Sequence, residues 1–311
     1  MFSIIVPYYK NLDIVRRCLD SVVNQTYRQF ELLLVDDGSN DKIDDIVASY
    51  HDSRLRVLHK TNAGVASARN YGIKNATNEY ICFLDSDDEW LLNHLEVLVE
   101  MMHKYLNRDF YITSYKRIGN TVFDSSELLP DTKSSIFCAK NLLKLYYEKG
   151  AIIHTNSVCL KKEFVVNLGG FNESVNIGED TDLWLRCAIK TSPILSKSVT
   201  TVYYRDYSFL TKNRTHEYNW PFLDQYQSAI EDTHKKYYVD LICEKYILSS
   251  CKHLLSEGKK DESKKMFKLV HKPLHKEIKK NYYEVFLMQL IPKSISRIVG
   301  RKIYNAINSK Y

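Results

Sequence analysis

Within the first 84 residues, short apolar runs alternate with segments of helical spacing, and few folds accept that alternation. Residues 2–7 form a β-branched apolar run, and 30–35, 55–59 and 80–84 read as a second, a third short and a fourth strand. Between the first two, Leu12, Val15, Cys18, Leu19, Val22 and Val23 recur at helical period. Ile43, Ile46, Val47 and Tyr50 repeat the pattern before the third run, and residues 63–75 read as a helix before the fourth. Strands that are apolar throughout, separated by amphipathic helices, predict a largely parallel sheet covered by helices on both faces.

Two of these strands end in carboxylates. Residues 30–35 run into Asp36-Asp37-Gly38-Ser39, and residues 80–84 into Asp85-Ser86-Asp87-Asp88. In a parallel sheet both groups fall on the same edge, outside the carboxyl ends of the strands, where open α/β sheets bind ligands. An Asp-x-Asp pair suits a hard divalent cation, since two oxygen ligands leave positions for water and phosphate. The structural alternative is that these acids cap the next helix. A third acidic group, Glu179-Asp180 after Gly178, opens a helix carrying Leu183, Trp184, Cys187 and Ala188 at helical spacing. Asp37 could accept a hydrogen bond from a base N–H, Asp85 could reach a ribose hydroxyl, and Asp87 could hold a metal bridging a diphosphate. Arg69 either adds a cation toward the same phosphates or base, or is a surface helix residue.

Farther along, Leu95, Leu98, Val99 and Met102 mark another helix, residues 109–118 a strand, and 119–133 a polar loop. A helix near 139–148 and a strand near 156–160 lead to the turn Leu168-Gly-Gly-Phe-Asn-Glu173. Beyond Trp220 helices rich in Lys and Tyr take over, which divides the chain at 219/220, with 1–115 and 116–219 as halves of the first part. Charge follows that division. Residues 1–233 hold 26 Lys and Arg against 31 Asp and Glu, whereas 234–311 hold 18 against 7. An acidic body with a basic tail points toward nucleic acid, anionic lipid or a merely solvated surface for the tail. Residues 292–311 place Ile295, Ile298, Val299, Ile303 and Ile307 on one helical face and Lys293, Arg297 and Arg301 on the other. That pattern fits a helix lying in a membrane interface and equally a terminal helix docked on the protein.

Hydrophobic content of 44% and charged content of 26% are ordinary for a globular protein. No stretch reaches the roughly 20 apolar residues of a membrane span, and the start lacks a basic region and a cleavage site for a signal peptide. Seven scattered cysteines without a Cys-x-x-Cys pair read as reduced thiols, which predicts a cytoplasmic protein without structural zinc.

The segments Ile4-Ile-Val-Pro-Tyr-Tyr, Ser21-Val-Val-Asn-Gln-Thr-Tyr27, Phe30-Glu-Leu-Leu-Leu-Val-Asp-Asp-Gly-Ser-Asn-Asp41 and Asn62-x-Gly-x-x-x-Ala-Arg-Asn-x-Gly72 resemble family 2 glycosyltransferases of GT-A fold. Phe83-Leu-Asp-Ser-Asp-Asp88 is similar to that family's metal motif, and Gly169-Gly-Phe-Asn-Glu173 with Gly178-Glu-Asp180 to its acceptor side. The resemblance covers roughly residues 2–205, in the family's order, and extends to enzymes of bacterial capsule, O-antigen and surface-polysaccharide synthesis.

It implies a Rossmann-like, mostly parallel central sheet flanked by helices and followed by a C-terminal helical region. It also implies an inverting, metal-dependent transfer of a hexose or N-acetylhexosamine from a UDP-linked donor to a lipid-linked surface glycan. Transfer to a soluble or protein acceptor is the alternative. By the resemblance Pro7, Tyr9, Asp37, Arg69, Asp85 and Ser86 bind the donor nucleotide and Asp87 the Mn²⁺ or Mg²⁺. Asp180 is the base, with Glu179 beside it. An anionic inner-leaflet surface is the expected partner of the C-terminal helix, giving a peripheral association with the cytoplasmic face of the inner membrane; nucleic acid is not expected as a partner. Asp88 is left with helix capping.

Two departures stand out. Asn78 occupies a turn position where the family often has Gly, and Tyr204-Arg-Asp-Tyr-Ser208 lacks the histidine of a Tyr-Arg-x-His segment. His216 reads as a lone surface histidine, and Trp90 and Trp184 read as core. A dehalogenase-type phosphatase also uses Asp-x-Asp, but after its first strand rather than its fourth. A nucleic-acid-binding reading of the basic tail leaves the ordered acidic motifs without a purpose.

Overall fold

The computed structural model describes residues 1–10, 12–175, 178–205, 230–270 and 275–290. Two compact units divide the chain, Met1–Asn219 and Trp220–Tyr311.

In the first unit the predicted alternation builds a four-stranded parallel half-sheet. β1 (Phe2–Tyr8), β2 (Phe30–Asp36), β3 (Leu55–His59) and β4 (Tyr80–Phe83) lie in the order β3-β2-β1-β4. All seven residues of β1 are buried, as a strand covered on both faces requires. α1 (Leu12–Val23), α2 (Ile43–Ala48) and α3 (Val65–Asn75) make the connections. α3 lies so close to β1 that a Cβ on Gly72 would stand 2.5 Å from Ile5 Cγ2. Pro7 is tolerated inside β1 because β4 pairs only with Phe2–Ile5, while Tyr8 O still accepts from Asp37 N on the β2 side. The missing N–H of Pro7 thus falls where pairing has already ended.

Past β4 the sheet becomes mixed. β9 (Val158–Lys161) runs antiparallel between β4 and β6 (Phe110–Ile118). β10 (Ile194–Tyr204) then pairs parallel with β6, and the two-residue β5 (Glu89–Trp90) closes the order antiparallel to β10. The eleven-residue β10 is invisible to periodicity: Ser196, Thr200 and Thr201 are buried in it, and its register with β6 shifts between Leu195 and Thr201. Its buried hydroxyl at Thr200 is satisfied by donating to Thr113 Oγ1 at 2.8 Å. The expected loop at 119–133 holds β7 (Phe123–Asp124) and a 3₁₀ turn, Ser125–Leu128. β8 (Ile136–Cys138), α4 (His94–Lys104), α5 (Leu142–Lys149), α6 (Lys162–Asn167) and α7 (Glu179–Lys190) complete the unit. Trp90 and Trp184 are core residues, each 3% exposed.

The second unit is helical among its described residues: Thr233–Ser256, Lys260–Phe267 and Lys279–Leu290. Lys252 on the first helix pairs with Glu284 on the third at 2.7 Å, and Gln289 Nε2 donates to Ser263 Oγ at 2.9 Å. Among the described residues no helix is long and apolar enough to cross a membrane. Residues 292–311 and His216 lie outside the described residues.

Candidate active site

The carboxyl ends of β1, β2 and β4 form one edge of the parallel half-sheet, and the predicted donor-side residues stand there or on the adjoining loops, except Arg69, which is on α3. Asp37, 4% exposed, follows β2. Its Oδ1 accepts from Lys60 Nζ at 2.6 Å and Ala63 N at 3.0 Å, and its Oδ2 accepts from Gly64 N at 2.8 Å. These bonds explain why α3 starts at Val65 rather than at Ala63, since Gly64 at φ +90° turns two backbone donors onto Asp37. A carboxylate offers about four acceptor positions, so one remains for a ligand N–H. Gly38, at φ +76°, lies so near the 60–64 loop that a Cβ would stand 2.8 Å from Asn62 N. Asp36 accepts from Ser39 N and pairs with His59 Nδ1 at 2.9 Å. Pro7 is buried on β1, and the next residue but one, Tyr9, is half-buried with Lys10 Nζ 5.1 Å from its ring centre.

At the end of β4 the four residues Asp85–Asp88 close a turn, with Asp88 N donating to Asp85 O at 3.0 Å. The expectation that Asp88 caps a helix is overturned. α4 begins at His94 behind Asn93, and Asp88 is 1% exposed. Its Oδ2 accepts from Asn156 Nδ2 at 2.6 Å and its Oδ1 from Tyr204 N at 2.8 Å, so it ties the turn to β9 and β10. Burial, with Asp87 and Asp85 adding to it, raises its pKa. Ser86 and Asp87 are half-buried, and the Asp87 backbone carbonyl accepts from Arg17 Nη2. Among the described residues no other residue donates to the Asp87 carboxylate, whose pKa is pushed up by burial and then by Asp85.

Arg69 is not a surface residue. It is 3% exposed on α3, and its guanidinium donates to Asp85 Oδ1 at 2.7 Å and to Glu179 Oε1 at 3.0 Å. One buried cation therefore joins the turn after β4 to the start of α7, whose Glu179 lies 110 positions beyond Arg69. Beside it, Asn70 donates to Phe171 O and Glu173 Oε1 and accepts from Phe171 N, each at 2.8 Å. Gly170, at φ +69°, makes room for this contact, since a Cβ there would meet Asn70 Oδ1 at 2.5 Å.

The first turn of α7 carries Glu179, Asp180 and Asp182, where a helix N-terminus favours negative charge. Asp182 is fully buried against Arg186 at 2.6 Å, and Arg186 also donates to the Leu168 and Gly170 carbonyls. Asp180 is half-buried; it accepts from Thr181 N at 2.6 Å and from Thr155 Oγ1 at 3.3 Å.

Periodicity did not single out Asn156 or His154. Asn156, fully buried, accepts from Asp85 N at 2.9 Å while donating to Asp88, and its carbonyl accepts from Trp90 Nε1 at 2.9 Å. His154 stands two residues earlier, with Asp85 and Asp180 among its electrostatic neighbours. A lone Asn and a lone His carry no spacing signal; proximity to both acidic groups is visible only in three dimensions.

A divalent cation would suit Asp87, because two crowded carboxylates, one of them without a donor from any other described residue, are relieved by positive charge. Among the described residues no three His, Cys, Asp or Glu side chains gather as a metal cage.

Residues 3–164, just over half of the chain, match the family described as Glycosyl transferase family 2. The chain belongs to that family. Among curated proteins, this family 2 chain is 31% identical over 218 residues to an uncharacterized glycosyltransferase of Rickettsia typhi, covering 70% of the chain and 64% of the relative. It is 32% identical over 193 residues to the amylovoran biosynthesis glycosyltransferase AmsB of Erwinia amylovora, covering 60% and 63%. It is 40% identical over 121 residues to the UDP-Glc:alpha-D-GlcNAc-diphosphoundecaprenol beta-1,3-glucosyltransferase WfgD of Escherichia coli, covering 39% and 47%. The chain thus spans less than two thirds of the length of these relatives. Among solved structures, S. aureus TarS residues 1–349 in complex with UDP-GlcNAc matches with a TM-score of 0.63 at 17% identity, covering 99% of the chain and 92% of that protein. That likeness establishes the GT-A fold of the family 2 chain.

Proposed function

We propose that the protein is an inverting, metal-dependent glycosyltransferase that moves a hexose or N-acetylhexosamine from a UDP-linked donor to a hydroxyl of a lipid-linked surface glycan. The observation that carries this reading is the Arg69 bridge. It draws Asp85 and Glu179 onto one buried guanidinium, so the donor-side turn and the first turn of α7 belong to one site. Asp87 and Asp180, the neighbours of those two acids, are the carboxylates left for chemistry.

In this reading Pro7, Tyr9 and the remaining acceptor position of Asp37 line the base, and Asp85 with Ser86 faces the ribose. Arg69 holds Asp85 and Glu179 in place rather than touching the nucleotide. Asp87 would bind the Mn²⁺ or Mg²⁺; such an ion supplies neutralisation of the charge that develops on the leaving diphosphate. Asp180 removes the proton from the acceptor hydroxyl as its oxygen attacks the anomeric carbon. A single base of this kind gives displacement with inversion. The printed name of the E. coli relative, with its UDP-Glc donor and diphosphoundecaprenol-linked acceptor, supports a lipid-linked acceptor here.

Peripheral binding to an anionic membrane surface follows from the same acceptor. The solvent face of helix Lys279–Leu290 exposes Tyr283, Phe286, Leu287 and Leu290 after Lys279 and Lys280, in a region of 18 basic against 7 acidic residues. An apolar face edged by lysines complements an anionic bilayer. Flotation with phosphatidylglycerol vesicles should be lost in a Leu287→Asp, Leu290→Asp double variant. Flotation at the wild-type level would refute this surface.

The function itself is tested by calorimetry of UDP-glucose and UDP-N-acetylglucosamine with Mn²⁺ and with a chelator. Mn²⁺ should tighten donor binding in the wild type and have no effect in Asp87→Ala. Absence of binding across a panel of nucleotide-diphosphate sugars would overturn the reading.

A further inference from the structure

The functional reading leaves one side chain beside both acidic groups without a role. His154 precedes the 3₁₀ turn Thr155–Ser157 that leads into β9. The two residues after it are tethers of the site: Thr155 donates to Asp180, and Asn156 holds the Asp85 backbone and the Asp88 carboxylate.

The His154 ring is held on three sides. Its centre lies 4.5 Å from that of Tyr203, inclined by 31°, and 5.2 Å from that of Tyr115, inclined by 44°. Tyr115 is itself anchored to the same loop, its hydroxyl donating to Ala151 O at 3.0 Å. At the ring edge, Nδ1 accepts from Asn156 N at 3.3 Å. Burial, helped by Arg69 and opposed by Asp85 and Asp180, lowers the pKa of His154, so the imidazole is neutral near pH 7. A neutral ring whose Nδ1 accepts carries its proton on Nε2, by assignment from the hydrogen-bond network. Among the described residues nothing accepts from that Nε2–H.

Three roles compete for such a group. A general base needs a free lone pair, but Nδ1 is engaged and the lowered pKa weakens it as a proton acceptor. A metal ligand needs a bare ring nitrogen, and Nε2 is protonated. A hydrogen-bond donor to a neutral oxygen needs what is present: a fixed ring and an N–H without a partner among the described residues.

We propose that His154 Nε2–H donates to a hydroxyl oxygen of a sugar bound at the Asp85–Asp180 site, and so helps select which sugar is accepted. This role rests on the glycosyltransferase reading above. The sugar is either that of the donor or the terminal residue of the acceptor glycan.

His154→Phe keeps a stacking ring and removes the donor, whereas His154→Gln keeps a donor. In the full chain, KM and kcat for donor and acceptor are measured separately, with UDP affinity and thermal midpoint as controls. His154→Phe should raise one KM about tenfold, the loss of one neutral hydrogen bond at roughly 1.4 kcal/mol per tenfold, with UDP affinity and midpoint unchanged and His154→Gln recovering most of the loss. A raised donor KM assigns the contact to the donor sugar, and a raised acceptor KM to the glycan; either supports the role. Wild-type KM values for both substrates in His154→Phe would overturn it. So would a loss of kcat and midpoint together that His154→Gln does not recover. A wild-type chain that binds no nucleotide sugar fails the glycosyltransferase reading itself, and this role falls with it.

Discussion

The turn after β4 and the first turn of α7 are built on different backbones yet divide their acids in the same way. Each has one carboxylate sealed into the scaffold: Asp88 against Asn156 and Tyr204, Asp182 against Arg186. Each lends one to Arg69, namely Asp85 and Glu179. Each keeps a half-buried third, Asp87 or Asp180. The difference lies in that third acid. Burial and Asp85 raise the pKa of Asp87, the electrostatic cost of crowding two carboxylates, whereas Asp180 is oriented by Thr181 N and Thr155 Oγ1. A run of acids is therefore not one functional unit. Being sealed, bridged or left half-buried are separate fates, set by the donors each carboxylate meets.

The strongest break of this comparison is at its reactive end. Asp180→Asn should lower kcat by about 10²- to 10⁴-fold, the range for removing a general base, with donor affinity retained in calorimetry. Transfer at the wild-type rate would remove Asp180 from the comparison. The bridge comes next. Arg69→Met leaves the buried Glu179 and the half-buried Asp85 without their cation and should cost about 3–5 kcal/mol in urea unfolding; a loss under about 1 kcal/mol would mean that water replaces it. The scaffold pair follows, where Asn156→Ala strips a donor from Asp88 and an acceptor from Asp85 N. About 1–3 kcal/mol is expected from unsatisfied buried groups, read in the same unfolding experiment.

The smallest effect concerns pH on the donor edge. His59 has its pKa raised, chiefly by its hydrogen bond to Asp36 and further by Asp44. Its contribution is therefore full below the unfolded value of 6.5 and is lost as pH rises through the higher folded value. With the His59 side chain 53% exposed, solvent screening keeps the effect under about 1 kcal/mol. His59→Phe should flatten the dependence of stability on pH between pH 6 and about 8 by that amount, read from thermal midpoints, while among the described residues the start of α7 has no such pair. An unchanged pH slope would show that the pair is already screened out.

Much of the parallel half-sheet was legible in the chain. Apolar runs at 2–7, 30–35, 55–59 and 80–84 became the parallel strands, and the acids that follow two of them landed on one edge. β10 escaped because buried Ser and Thr satisfy one another across strands, a pairing that no single strand records. Arg69 read equally well as a surface residue, since its two carboxylates lie 16 and 110 positions away. Asp88 read as a cap because its true partners, Asn156 and Tyr204, are 68 and 116 positions away.

What the sequence determined by itself is where the carboxylates emerge, because strand period and turn chemistry are local and a parallel sheet aligns its carboxyl ends. The tertiary structure alone decided which carboxylate is sealed, which is bridged and which is left half-buried. Hydrogen-bond donors and burial arrive from distant segments, and at equal charge they are what distinguish one aspartate from the next.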